Sequence, residues 1–497
     1  MTRSAEVLGT VTGDQQPRIW RSFVDGRWIE PARVFDDLDP YTGEVHLQVA
    51  DSGADETRAA IGAAARAFPA WAALPAAGKQ RLFLAAADVV ERRRAEIAEI
   101  MARETGCTMP FAQFQQDLVR SMLQQVAQWV YLPYGEVLRS DAARTYSTAV
   151  RRPLGVVAGF TPWNGANVLA WRAALLPLAA GNTVVLKPSE EAPVSAGLIV
   201  AEIAAEAGFP AGVLNVVTHG PGGAGPIADV IFDSADVRCI NFIGSVPIGR
   251  MLAERAGRTL KRSVMELGGY NPMIVLADAE LDYAVDLAVY SGFLHQGQVC
   301  LNARRILVER PLYETFLAQF AARTRMLKCG DPRVPGTVIG PLISDRARDK
   351  VHANVVDALG KGATLVTGGT FDGRVYAPTI LTDVPDHAAA ASEETFGPVV
   401  IVEPAADADA AIMAANRSMY GLTSSIVAGD TYRAFELGAR VQAGAVHINL
   451  PTINDEIQAP VGGVRDSGWG RSGPHALDDF TDLIWVDVQA GRRSLPF

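Results

Sequence analysis

From Leu154 onward the chain alternates short, fully apolar runs with stretches of helical periodicity, and this alternation restricts the fold more than any other feature. The first series has runs at Val156 to Phe160, Thr183 to Lys187, Val213 to Val217 and Ile240 to Ile243, with helical patterns between them. Runs this short and this apolar suit strands buried on both faces, and strand–helix–strand repetition builds parallel sheets. A second series follows Glu266, with Met273 to Ala277, Arg305 to Glu309, Val399 to Val402 and Ala445 to Asn449. The expected fold class is therefore α/β, with a first sheet suited to a dinucleotide and a second holding Cys300.

Upstream of Leu154, Phe23 to Ile29 alternates around Asp25-Gly26 and predicts an edge β-hairpin. Helices are expected over Asp55 to Ala70, Gly78 to Glu104 and Phe114 to Tyr131, with an extended segment from Ala142 to Val150. The Arg92-Arg93-Arg94 run reads as a solvated outer face.

A length of 497 residues suggests two to four structural units, and 49% hydrophobic with 20% charged residues is ordinary for a globular protein. The net charge of −10 argues against nucleic acid or an anionic membrane as partner, because both demand basic faces. The four cysteines, Cys107, Cys239, Cys300 and Cys329, are too scattered for a disulfide framework or a metal motif, so a reducing, cytoplasmic setting and no metal are expected. Met1 to Pro17 is polar and lacks the apolar core of a secretory signal. The most apolar stretches, Val168 to Ala180 and Val194 to Ala207, are interrupted by Arg172 or by Glu202 and Glu206, which speaks against a membrane span.

Chemistry centres on Gly297-Gln298-Val299-Cys300, read as a tight, nearly featureless loop. A lone cysteine is by default a small buried hydrophobe, and a nucleophilic one needs access and a neighbour that favours the thiolate. Company is what singles this one out: Glu266-Leu267-Gly268-Gly269 lies 34 residues upstream, Thr161-Pro162-Trp163-Asn164 further up, and Glu393-Glu394-Thr395-Phe396-Gly397-Pro398 downstream. Phe242 to Gly249 runs from a strand into a helix, so backbone amides at the helix start could face a pyrophosphate, with Gly244, Ser245 and Gly249 as the candidate residues; a purely structural turn is the other reading. Leu186 to Glu190 closes a buried strand, where open α/β sheets bind ligands.

These motifs, in this order and at about this spacing, resemble the NAD(P)-dependent aldehyde dehydrogenase superfamily over nearly the whole chain, Phe23 to Val488. The resemblance implies a Rossmann-like cofactor domain (1–139 and 153–265), an α/β catalytic domain (266–480) and a small β oligomerisation flap (140–152 and 481–497), hence a homodimer or homotetramer. It implies Cys300 as nucleophile, Asn164 as oxyanion donor and Glu266 as the base that activates water; otherwise Asn164 is a turn residue and Glu266 a surface carboxylate. Lys187 and Glu190 match the pair that holds the adenosine ribose, and a carboxylate there repels a 2′-phosphate, which favours NAD over NADP. Thr161, Pro162, Trp163, Ser189 and Gly268 join the implied cofactor site, with Glu394 and Phe396 at the nicotinamide ribose and ring. The family usually has Lys after Glu-Leu-Gly-Gly, whereas this chain has Tyr270, and it has Ile243 where Thr is common.

His447 to Glu456, followed by Pro460-Val461-Gly462-Gly463, resembles bacterial dehydrogenases of aromatic aldehydes, of the benzaldehyde, vanillin and salicylaldehyde type. Val168, Arg172, Val299, Leu301 and Val461 are the implied substrate residues. Arg172 lies eight residues beyond Asn164, about two helical turns, so it either touches a polar ring substituent or carboxylate or forms an interhelical ion pair. His295 and His447 lack ligand-spaced partners and read as structural. The competing functions are an aliphatic or terpenoid aldehyde dehydrogenase, a coenzyme-A-acylating relative, which the presence of Glu266 disfavours, and a non-catalytic protein on the same fold.

Overall fold

The structure, a computed structural model, describes residues 19–495. Met1 to Pro17 and the last two residues of the expected flap, 496–497, lie outside them.

Three sheets organise the chain. The first has seven strands in the order Arg262–Leu267, Val237–Gly244, Val156–Thr161, Thr183–Pro188, Leu214–Val216, Phe23–Val24 and Arg27–Trp28. Its first five strands are parallel. The expected hairpin adds the two antiparallel edge strands, and its turn places Asp25 and Gly26 at φ 54° and 76°, the left-handed pair that matches the twist of a two-residue hairpin. Every residue of Val156–Thr161 and Thr183–Pro188 is buried, which is why these runs carry no polar alternation. One face packs on Trp71, Phe83, Trp171 and Leu198, the other on Ile61, Ile227, Ile231 and Phe232.

The second sheet runs Thr364–Thr367, Thr379–Thr382, Val399–Ala405, Arg305–Glu309, Pro272–Val275, Thr423–Val427 and Ala445–Ile448, parallel except at its first strand. Phe293, Phe316 and Phe320 cover one face, and Ile412, Ala434 and Val441 the other. Gly135–Leu138, Thr145–Pro153 and Thr481–Gln489 form a third, antiparallel sheet, the last two paired over nine residues. It includes 135–138, ahead of the range expected for the flap.

Two expectations need correction. The helix expected over Gly78 to Glu104 is two, Ala76–Arg92 and Arg94–Thr105, broken at Arg93. At the break the Arg run is not simply solvated: Arg93 keeps only 14% of its side chain exposed and bonds Glu96 at 2.7 Å and the buried Glu202 at 2.6 Å. The strands Arg262–Leu267 and Thr423–Val427 were also not foreseen. Both begin with polar residues, and in the second those residues are buried, with Ser425 Oγ donating to Leu450 O at 2.6 Å.

Each parallel sheet reverses its direction of growth once. In the first sheet this happens between Val156–Thr161 and Val237–Gly244, and crevices at such switch points are where ligands sit beyond strand carboxyl ends. Thr161, Lys187, Gly244 and Leu267 are all at those ends.

Candidate active site

Helix Leu281–Phe293 runs into a single turn, Leu294–Gly297, that delivers Cys300. The loop is far from featureless. His295 and Gln296 take φ near +50°, and Gly297, at φ 71°, lies so close to the Gly397 backbone that a Cβ would collide with it. Buried Arg304 clamps the two loops together, donating to Gly297 O and, at 2.7 Å, to Gly397 O. Asn271 Nδ2 donates to Cys300 O at 2.6 Å and Asn302 O at 2.8 Å, while Asn302 Oδ1 accepts from Val299 N at 2.7 Å. The thiol's backbone is therefore fixed by side chains before any ligand arrives. Burial pushes the Cys300 thiol up to about 12, with Glu394 and then Glu266 adding to the effect and Arg172 opposing it. In this arrangement it is a protonated thiol with carboxylates in its field.

Glu266 ends the Arg262–Leu267 strand, and the Gly468–Gly470 turn crosses it by donating Trp469 N and Gly470 N to Met265 O. Burial raises its carboxyl to about 6; the positive charges of Arg172 and Arg471 limit that rise and Asp455 adds to it. The missing family Lys thus leaves Glu266 with two arginines. Tyr270 is itself buried, stacked on Tyr420 at 6.4 Å, and donates its hydroxyl to Ala390 O at 2.7 Å, tying the strand end to the segment that carries Glu394.

Asn164 is buried just ahead of helix Ala166–Ala179, with its backbone against the buried His295 ring, whose imidazole burial holds down to about 3. Arg172, on the same helix, pairs through Nη2 with both carboxylate oxygens of Asp455, at 2.9 and 2.7 Å, across 283 residues of sequence. This is the ion-pair alternative, though with a loop, not a helix, and it sits inside the site: Arg172 acts electrostatically on Glu266 and Cys300. Its Nε is buried without a partner. Val168 and Val299 join one apolar cluster, to which the structure adds Ile457; Leu301 and Val461 are buried outside it. His447 is a partly buried residue of its strand.

The residues assigned to a dinucleotide gather along the first sheet's carboxyl edge. Thr161 Oγ1 donates to Ala196 O at 2.8 Å, and Ser189 N donates to Thr161 O at 2.9 Å, so the two strand ends are joined. Pro162 and Trp163 follow Thr161, and Trp163 meets Phe396 edge-on at 5.5 Å. Glu190 is partly buried in the turn after Lys187. Ser245 begins helix Val246–Arg258 without a side-chain cap, and Gly249 lets that helix lie against Leu267. Gly268 lies under the Glu394 carboxylate, where a Cβ would collide with it. Burial raises Glu394 to about 7, and its Oε1 is buried with no partner. A buried acceptor without a donor at Glu394, and separately a strand-end Lys187 and the uncapped start of helix Val246–Arg258, fit a ligand bearing ribose hydroxyls and phosphate.

Residues 28–486 match the family described as "Aldehyde dehydrogenase family". The chain belongs to that family. It is 40% identical to the vanillin dehydrogenase of Pseudomonas fluorescens, over 93% of this chain and 96% of that one. Among solved structures, a salicylaldehyde dehydrogenase from Pseudomonas putida G7 complexed with salicylaldehyde superposes with a TM-score of 0.94 at 36% identity, covering 97% and 100% of the two chains. An NADP-dependent enzyme from E. coli superposes at 0.91 with 36% identity, covering 95% and 98%. The aldehyde dehydrogenase fold expected from the motifs is thereby established.

Several residues that build the site escaped the sequence reading. Asn271 and Arg304 stand next to motifs that were read, each within five residues of Glu266 or Cys300, and that adjacency was the available signal. Asp455 lay inside the His447 to Glu456 stretch, but nothing in it pointed to Arg172, and His219 lay outside every motif; only the fold brings them to Arg172 and Lys187. Among the described residues, no three His, Cys, Asp or Glu side chains gather to hold a metal, and no helix is long and apolar enough to cross a membrane.

Proposed function

We propose that the chain oxidises aromatic aldehydes to carboxylic acids with NAD, using Cys300, Asn164 and Glu266. The observation that carries this reading is the thiol set in a common field with Glu394, Glu266, Arg172 and Asp455. Cys300 Sγ adds to the aldehyde carbon once its proton passes to one of the neighbouring carboxylates, which burial has raised into the range where they exchange protons near neutrality. Asn164 and the Cys300 backbone N–H donate to the resulting oxyanion, an interaction worth about 10²–10³ in rate for one such donor. When bound, the nicotinamide supplies the hydride acceptor. Glu266 then takes a proton from the water that hydrolyses the Cys300 thioester, and the acid leaves.

Lys187, Ser189 and Glu190 hold the adenosine ribose, Thr161 to Trp163 and the Gly244–Gly249 turn the middle of the cofactor, and Gly268, Glu394 and Phe396 its nicotinamide end. The Glu190 carboxylate favours NAD, while the likeness to an NADP-dependent enzyme makes NADP the competing cofactor. Val168, Val299, Leu301, Val461 and Ile457 contribute apolar wall. The unpartnered Nε–H of Arg172 provides a donor for a polar ring substituent, which suits the vanillin- and salicylaldehyde-named relatives. Residues 1–139 with 153–265, 266–480, and 140–152 with 481–497 serve as cofactor, catalytic and oligomerisation units, except that strand Gly135–Leu138 joins the oligomerisation sheet. Exposed Val137, Tyr146 and Val488 on one face of the third sheet, and Leu483 and Trp485 on the other, supply apolar surface for a homodimer or homotetramer. Four free cysteines, one of them the nucleophile, suit a reducing cytoplasm.

The test is nicotinamide reduction by the purified protein with NAD or NADP and a panel of aromatic and aliphatic aldehydes, alongside Cys300→Ala. Turnover on aromatic aldehydes with NAD, lost in the variant, is expected. Turnover confined to aliphatic aldehydes, or appearing only with coenzyme A, would overturn the substrate or the hydrolytic assignment respectively.

A further inference from the structure

Lys187 is buried at the carboxyl end of its strand, and among the described residues no carboxylate closes an ion pair with its ammonium. Its partner is a histidine: Lys187 Nζ and His219 Nε2 are 2.6 Å apart. The other ring nitrogen, Nδ1, faces Gly220 O at 2.8 Å. A carbonyl only accepts, so Nδ1 carries the hydrogen, Nε2 is the acceptor, and the ammonium donates to a neutral imidazole. The segment bearing the ring is pinned on both sides. Thr218 Oγ1 donates to Ala50 O at 2.8 Å, Thr218 N donates to Ser22 Oγ at 3.1 Å, and Gly220 N donates to Asp51 Oδ1 at 3.0 Å.

We propose that His219 is a positioning residue for the cofactor: its neutral imidazole fixes one N–H of Lys187 and leaves the other two for the adenosine ribose, so dinucleotide affinity depends on His219 staying unprotonated. The inference rests on the reading that Lys187 faces the dinucleotide. A protonated imidazole has no acceptor to offer and sets a second cation against the first, so the ammonium must turn away. The charged groups around the ring are Lys187 and Glu190, from the strand end and its turn, and Asp51, from the segment after strand Val45–Ala50. Burial first and Lys187 second hold the imidazole below its ordinary range, while Glu190 and Asp51 oppose them weakly. The loss of affinity therefore falls on the acid side of neutrality.

NADH binding to the full-length protein, followed by nicotinamide fluorescence at about pH 8 and about pH 5.5, tests this with wild type, His219→Gln, His219→Ala and Lys187→Ala. Wild type should weaken severalfold on acidification, short of the roughly tenfold that an imidazole at its ordinary value of about 6.5 would give. His219→Gln keeps an acceptor that does not titrate, so it should bind like wild type at the higher pH and lose less than wild type at the lower one, the part of the fall that comes from Glu394 being common to both. His219→Ala should bind about tenfold more weakly already at the higher pH, with KM for NAD raised and kcat little changed. A wild-type affinity independent of pH, a parallel fall in wild type and His219→Gln, or wild-type binding by His219→Ala would each overturn the proposal. If Lys187→Ala also binds like wild type, the placement of the cofactor on Lys187 fails with it; if only Lys187→Ala weakens, that placement stands and the role of His219 alone is lost.

Discussion

Replacing Arg172 by Met, Asp455 by Asn, and the two by Met and Leu together separates the structural work of their ion pair from its effect on the thiol and the base. The side chains are 8% and 14% exposed, so each charge has given up most of its water. Removing one partner leaves the other desolvated and alone, a loss of about 3–5 kcal/mol, whereas removing both with apolar replacements is often close to neutral. Urea unfolding followed by tryptophan fluorescence should place both single variants well below wild type and the double variant above either. The same pair acts on chemistry with opposite signs. Arg172 holds the Glu266 carboxyl and the Cys300 thiol down and Asp455 holds both up. The acid limb of thioester hydrolysis should thus move to higher pH in Arg172→Met and to lower pH in Asp455→Asn, by roughly one unit each. General damage to the pocket would move both variants the same way. Shifts of one sign, or a double variant whose midpoint equals the sum of the two single losses, would refute the reasoning.

With Glu266 raised to about 6 and the carboxylate the working form, the steady rate after the first turnover should fall about tenfold between pH 7 and pH 5, with the amplitude of the initial burst of nicotinamide reduction retained and its rate lowered, because Cys300 gives its proton to the same carboxylates. In Glu266→Gln the burst should remain and the steady rate should be slow at every pH; an unchanged steady rate would remove the assigned role. Gly268→Ala sets a methyl against the Glu394 carboxylate, so it should raise KM for NAD severalfold while thermal unfolding stays near that of wild type, measured by initial rates and calorimetry. Tyr270→Phe removes the hydroxyl that donates to Ala390 O; a loss of about 1–2 kcal/mol in unfolding and weaker NADH binding are expected, measured by denaturation and fluorescence titration.

What was legible in the sequence was whatever one segment decides for itself. Val156–Thr161 and Thr183–Pro188 are buried on both faces, so their identity was written in uninterrupted apolar residues, and Asp25-Gly26 supplied its own turn. Thr423–Val427 was missed because its hydroxyls satisfy carbonyls at Ala445, Leu450 and Thr452, partners that exist only once the neighbouring strand is in register. Arg92 to Arg94 looked like solvated surface for the same reason: Glu202, which covers Arg93, arrives from another helix.

The site divides along the same line. Cys300, Glu266, Asn164 and Glu394 were found as motifs, each with a local backbone that announces it. The contacts that give those groups their energies span the sequence: Asp455 reaches Arg172 across 283 residues, Arg304, itself near Cys300, joins Gly297 to Gly397, and His219 meets Lys187 only when two strand ends come side by side. Tyr270 shows how the two kinds of information combine. In the sequence it was the loss of a positive charge beside Glu266. In the fold, Arg172 and Arg471 supply that charge from elsewhere, and the ring is free to become a buried strut holding the Glu394 segment. A substitution inside a motif is therefore weighed by what the fold sets in the vacated space and not by the residue it replaces.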